Sequence, residues 1–135
     1  MESKSAQPDQ DRLILLGWMF AIVCVIVGSL LPASSPAIRA LDRLGISDKA
    51  MHFSAYLLLS CLPVVALRDR RRGLTAGLAM LLLGILLEGG QHFSPGRTVD
   101  LGDVLANGAG IACGLVCGVP MRALHRRSSR WISGK

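Results

Sequence analysis

Three short groups of polar residues stand out in an otherwise apolar chain. Asp48, His52 and Tyr56 recur every four residues, which places them on one helix face, and Lys49 sits beside the first of them. Glu88, Gln91 and His92 follow an i, i+3, i+4 spacing, and Asp100, Asp103 and Asn107 follow i, i+3, i+7, so each set also shares a face. Arg97 stands in the short segment between the last two groups. A guanidinium can hold a phosphate or carboxylate through its planar fork, while Asp103, Asn107, Gln91 and His52 could orient polar substituents and Glu88 could brace Arg97 or His52. A second chemistry is open to the same side chains. His52, His92, Glu88 and Asp103 could bind a metal or do acid–base work on a lipid phosphate. No HExxH or other strict metal spacing is present, so no metal or cofactor is expected, although separate helices could still converge on an ion. Acids and histidines also form proton relays in small-solute transporters. Each residue has a plainer reading too. Asp48 and Asp100 can cap helices, His52 can be a satisfied interfacial histidine, Tyr56 a belt aromatic, and Asn107 a hydrogen-bonding link between helices.

The elements that carry these groups are long and apolar. The chain has 135 residues, 51% hydrophobic and 18% charged, with a mean hydropathy of +0.47. That balance excludes a disordered chain and an ordinary soluble domain. Leu13–Leu31 holds no charge and at 1.5 Å per residue covers roughly 28 Å, close to a hydrocarbon core. Ala50–Leu67, Leu74–Phe93 and Leu101–Met121 are three more blocks of similar length; the second carries His52, the third is charged only at Glu88, and the fourth has Asp103 and Asn107 near its start. Four such blocks in one short chain predict a polytopic membrane protein, and helices are the economical way to span. The first block exceeds the roughly 7–15 residues of a signal-peptide core, so it reads as a retained span.

The cations give an orientation. Lys4 and Arg12 precede the first block, Arg68, Arg70, Arg71 and Arg72 lie between the second and third, and Arg122, Arg126, Arg127, Arg130 and Lys135 follow the fourth. These eleven would share one side, against Arg39, Arg43, Lys49 and Arg97 on the other, which predicts cytoplasmic termini. The isoelectric point of about 9.8 is then a topology signal, and with aromatics at only 4% no nucleic-acid partner is expected.

The connections add detail. Ser35 can cap, Pro36 suits a first helical turn, Ile38, Leu41 and Leu44 recur every three residues, and Gly45 suits a stop, so a short helix at the outer interface is predicted. Ser94-Pro95-Gly96-Arg97 is a turn sequence that makes the third and fourth spans an antiparallel hairpin. Pro63 predicts a kink in the second span. Ala106, Gly110, Gly114 and Gly118 form a stripe of small residues for close helix packing. Cys24, Cys61, Cys113 and Cys117 fall inside spans without metal spacing and read as small packing residues.

Three ordered motifs, D-K-x-x-H-F-x-A-Y at Asp48–Tyr56, E-x-x-Q at Glu88–Gln91 and P-G-R-x-x-D-x-x-D-x-x-x-N-x-x-G at Pro95–Gly110, resemble the VanZ family of bacterial membrane proteins. The resemblance covers about residues 47–118 and implies a helical membrane domain. The family's namesake is associated with resistance to teicoplanin-type lipoglycopeptides, which implies a cell-envelope context and no particular reaction.

The expectation is therefore an all-α polytopic membrane protein: a cytoplasmic tail over 1–12, a four-helix membrane domain over 13–121 with a short outer interfacial helix, and a basic cytoplasmic tail over 122–135. Its site would comprise Asp48, Lys49, His52, Tyr56, Glu88, Gln91, Arg97, Asp100, Asp103 and Asn107. The partner would be a membrane lipid, a lipid-linked cell-wall intermediate or a lipoglycopeptide, met in the bacterial cytoplasmic membrane. An intramembrane enzyme, a small-solute transporter and a structural subunit are the alternatives.

Overall fold

The computed structural model describes residues 6–94 and 100–133. It contains five helices, α1 (Ala6–Leu30), α2 (Pro36–Arg43), α3 (Asp48–Ala66), α4 (Arg70–Gln91) and α5 (Leu101–Ser133), and no strand among the described residues. All but α2 are long and apolar enough to cross a bilayer. The surface confirms that setting. Phe20, Val23 and Val27 of α1, Leu82 and Leu86 of α4, and Leu105 and Val116 of α5 are exposed, while Glu88, Gln91, Asp103 and Asn107 are buried. Water would favour the opposite distribution; hydrocarbon around an all-α bundle favours this one. The protein is an all-α polytopic membrane protein.

Helix α3 is the axis of the bundle and packs most extensively on α5. The reason lies in the small residues of α5. A methyl group at Gly110 or Gly114 would collide with the backbone carbonyls of Phe53 and Leu57, so the two helices touch backbone to backbone along this stripe. The core around this axis is Tyr56, Leu59, Met80 and Ile111, with Trp18 and Ile22 of α1 and Leu83 of α4 packed against it. Ser60 Oγ donates to the Gly77 carbonyl at 3.1 Å and ties α3 to α4. Only Cys61 of the four free cysteines is packed. Cys24, Cys113 and Cys117 are exposed on the lipid-facing surface, so the expectation of four packing cysteines is corrected for three of them.

The short helix forms where expected. Ser35 Oγ accepts the Ile38 N–H at 3.4 Å, and Gly45 ends the segment at φ 68°, a conformation that disfavours side chains with a Cβ. Ser47 caps α3 by accepting from Ala50 N, and Asp69 caps α4 by accepting from Arg71 N. Helices α1 and α5 run beyond the apolar blocks. Helix α1 starts at Ala6, and α5 continues through Pro120 and the basic segment to Ser133.

That continuation builds a polar network at the end of the bundle away from α2. Asp11 is buried, with His125 Nε2 at 2.9 Å and Arg126 Nη1 at 3.5 Å. Arg122 donates to the carbonyls of Val64, Leu67 and Arg68, groups that the end of α3 leaves without helical partners. Asp11, Arg122, His125 and Arg126 lie just outside the apolar blocks, in the segments expected as tails, and the helical continuation of α1 and α5 brings them together.

Candidate functional site

At the α2 end of the bundle, the start of α3, the end of α4 and the start of α5 come together. The first turns of α3 and α5 lie side by side because the glycine stripe holds those helices in contact. Lys49 reaches across from α3: its Nζ is 2.6 Å from Asp100 Oδ2 and 3.5 Å from Asp103 Oδ1. It can lie this close because Gly102 has no Cβ; a methyl there would strike the lysine's terminal atoms. Asp100 also caps α5, its Oδ1 accepting the Gly102 N–H at 2.7 Å. The hydrogen bond from Lys49, followed by that from the Gly102 backbone, holds the Asp100 carboxyl below its ordinary value of 3.8.

One turn deeper, His52 Nδ1 lies 3.0 Å from Asn107 Oδ1. The other ring nitrogen faces two carboxylates, Asp48 Oδ1 at 3.9 Å and Asp103 Oδ2 at 3.8 Å. Asp103 and Asn107 are 4% and 3% exposed, so this layer is shut off from solvent on the α5 side. Glu88, buried at the end of α4, accepts the Asp100 backbone N–H through Oε1 at 3.0 Å. It braces the start of α5 rather than His52.

A cavity of about 200 Å³ opens beside these groups. Its lining is mostly apolar, with Val25 of α1, Ile38 and Leu41 of α2 and Met51 of α3, and it includes the polar side chains of Ser29, Asp48, His52, Tyr56 and Gln91. The helix α2 therefore closes one side of the cavity with its apolar face. Tyr56 is 1% exposed and lies against Gly84 of α4, which makes it a core residue with its polar tip near the cavity and not a belt aromatic.

The structure thus brings Asp48, Lys49, His52, Asp100, Asp103 and Asn107 into one α3–α5 layer, joins Glu88 to it through the backbone, and places Tyr56 and Gln91 at the adjoining cavity. Arg97 and its turn lie outside the described residues. His92 is exposed and packs edge-on against Phe93, so it leaves the face it was expected to share with Glu88 and Gln91. Sequence spacing did not find Asp11, Arg122, His125 and Arg126. Arg122, His125 and Arg126 do stand at i, i+3, i+4, a one-face signal that marks a helix continuing beyond the apolar run.

A family model described as VanZ/LLP1 matches residues 14–122, a range that contains the whole α3–α5 layer, the residues lining the cavity and, of the four polar residues at the opposite end, Arg122. Neither the curated proteins nor the solved structures give a match.

Proposed function

The chain belongs to the VanZ/LLP1 family, and from that membership and the geometry of the α2 end we propose that it binds an anionic amphiphile in the outer leaflet of a bacterial cytoplasmic membrane. The observation that carries this reading is the cavity of about 200 Å³, lined mostly by apolar side chains together with a few polar ones. Such a lining suits a molecule with a chain and a head group, since a chain recovers its burial energy on the apolar side chains while the head requires polar partners. Membrane lipids, lipid-linked cell-wall intermediates and lipoglycopeptides all carry this combination. Arg97, next to this end in sequence, supplies the guanidinium fork for a phosphate or carboxylate. A link to lipoglycopeptide resistance follows from the same ligand class and belongs to this proposal. An enzyme acting on a lipid phosphate is the second reading, and the meeting of His52 with two carboxylates favours it.

The test is binding of a labelled polyprenyl phosphate to the full chain in lipid nanodiscs. Wild type should bind saturably, Tyr56→Phe and Gln91→Ala should weaken binding, and Arg97→Lys should lose it because an ammonium keeps the charge without the planar fork. Equal binding by wild type and Arg97→Lys would remove the fork from the mechanism. No saturable binding by folded wild type to this probe, to phosphatidylglycerol or to a lipoglycopeptide would overturn the proposal.

A further inference from the structure

We propose that Asp48, His52 and Asp103 form a binding site for a divalent transition-metal ion of the Zn²⁺ or Mn²⁺ type. The His52–Asn107 contact sets the argument. Asn107 Oδ1 lies 3.0 Å from Nδ1, and an amide oxygen there accepts from the tautomer that carries its proton on Nδ1. That tautomer leaves Nε2 able to coordinate a cation. Nε2 lies 3.9 Å from Asp48 Oδ1 and 3.8 Å from Asp103 Oδ2. The separations are too long for direct hydrogen bonds. They suit a shared cation: ligands at about 2.0–2.2 Å from a metal stand roughly 3–4 Å apart. One donor atom from each of the three residues lies within 4.8 Å of the others.

The surrounding groups divide the work. Asp103 turns Oδ1 toward Lys49 and Oδ2 toward His52, so the lysine steadies the carboxylate without covering the oxygen that faces the ring. Asn107 fixes the tautomer and the ring plane from behind, as outer partners of metal-bound histidines do. One imidazole nitrogen with two carboxylate oxygens is a donor set that zinc and manganese accept, and it does not suit copper(I), which prefers softer ligands. Reading the spacing within each helix pointed to no metal. The site is invisible at that level because Asp103 comes from another helix.

Asp48 and His52 also line the cavity, so the ion's remaining positions face it. The ion would accept a phosphate or carboxylate oxygen of the bound amphiphile. That role rests on the function proposed above; the presence of the ion does not.

Elemental analysis of the full chain in nanodiscs, stripped with chelator and reloaded with Zn²⁺ or Mn²⁺, tests the site. Wild type should retain the ion stoichiometrically, and Co²⁺ loading should give a visible absorption band. His52→Ala and Asp103→Asn should abolish retention. Asp48→Asn changes a half-exposed side chain and should weaken binding with the fold intact. Asn107→Leu removes no ligand and should weaken it about 10–100-fold. Tyr56→Phe and Gln91→Ala should leave it unchanged while lowering amphiphile binding. Retention with no amphiphile binding keeps the site and removes the proposed function. Folded wild type without a stoichiometric ion under either loading, or wild-type retention by both His52→Ala and Asp103→Asn, overturns the site.

Discussion

Trp18 Nε1 donates a hydrogen bond of 2.8 Å to the backbone carbonyl of Leu59, the acceptor that Pro63 cannot serve. In a regular helix the N–H of residue 63 would bond to the carbonyl of residue 59, and proline has no N–H. Leu59 is wholly buried, so water cannot replace the missing donor. The indole of α1 fills the gap in α3 and anchors the otherwise lipid-covered first helix to the bundle.

This arrangement predicts a coupling. Trp18→Phe should destabilise the folded bundle by about 1–3 kcal/mol, the range for leaving a buried polar group unpaired. In a Pro63→Ala background the alanine N–H can bond to Leu59, and the same Trp18→Phe change should cost distinctly less. Reversible unfolding of the four variants in mixed micelles measures the cycle. Equal costs in the two backgrounds would show that Trp18 acts through packing alone.

The glycine stripe makes a second prediction. Gly110 lies against the Phe53 carbonyl, whereas a methyl at Gly108 would meet nothing within 4 Å. Gly110→Val should force α5 away from α3 and cost about 1–3 kcal/mol or more, as overpacking does. Gly108→Ala should be neutral or stabilise by about 0.5–1 kcal/mol through lower backbone entropy in the unfolded chain. The same micelle unfolding, with membrane abundance in cells, reads both.

The pattern of Gly110 and Gly114 was legible because small-residue spacing reports a property of one helix. The four spans, the α2 segment and the Asp48–His52 and Asp103–Asn107 faces were legible for the same reason. What the pattern could not supply was rotation and height of one helix relative to another. Those decide that Lys49 meets Asp100, that Glu88 turns to a backbone N–H, and that His52 faces Asp103. The Asp11–His125 contact joins residues 114 positions apart and depends on α5 continuing through Pro120, which apolar run length alone does not predict. Arg97 was read from its motif, and its place lies outside the described residues.

The Lys49–Asp100 pair makes a prediction about pH. The lysine and the Gly102 backbone stabilise the ionised Asp100 carboxylate, so its folded-state value lies below the ordinary 3.8. Such a group contributes stability that is full above its unfolded value and is lost as pH falls through the folded one. Wild type should therefore exceed Asp100→Asn in thermal stability at neutral pH, and the gap should close only below pH 3.8. Asparagine caps helices as well as aspartate, so the comparison isolates the ion pair from the cap at Gly102. Because both partners are half exposed, high salt should shrink the gap at neutral pH. Thermal unfolding across pH at two salt concentrations checks both statements, and a gap that persists unchanged at low pH would assign the effect to something other than charge.

Orientation is the last prediction, because the outer-leaflet reading depends on it. The folded chain sorts its cations by end. Arg12, Arg68, Arg72, Arg122 and Arg126 gather at the end away from α2, where Arg122 and Arg126 contact the close of α3, while Lys49 stands at the α2 end with Asp100. Over the whole sequence the two groups number eleven and four, and short cation-rich segments stay in the cytoplasm. The α2 end, with the cavity, should therefore face outward. In a variant with Cys24, Cys61, Cys113 and Cys117 replaced, Thr98→Cys should react with an impermeant thiol reagent in intact cells whose outer membrane, if present, has been permeabilised. Ser128→Cys, exposed near the end of α5, should react only after the membrane is opened. The reverse pattern would turn the cavity toward the cytoplasm. It would exclude lipoglycopeptides and outer-leaflet intermediates as ligands, while leaving the chemistry of His52 and its two carboxylates where it is.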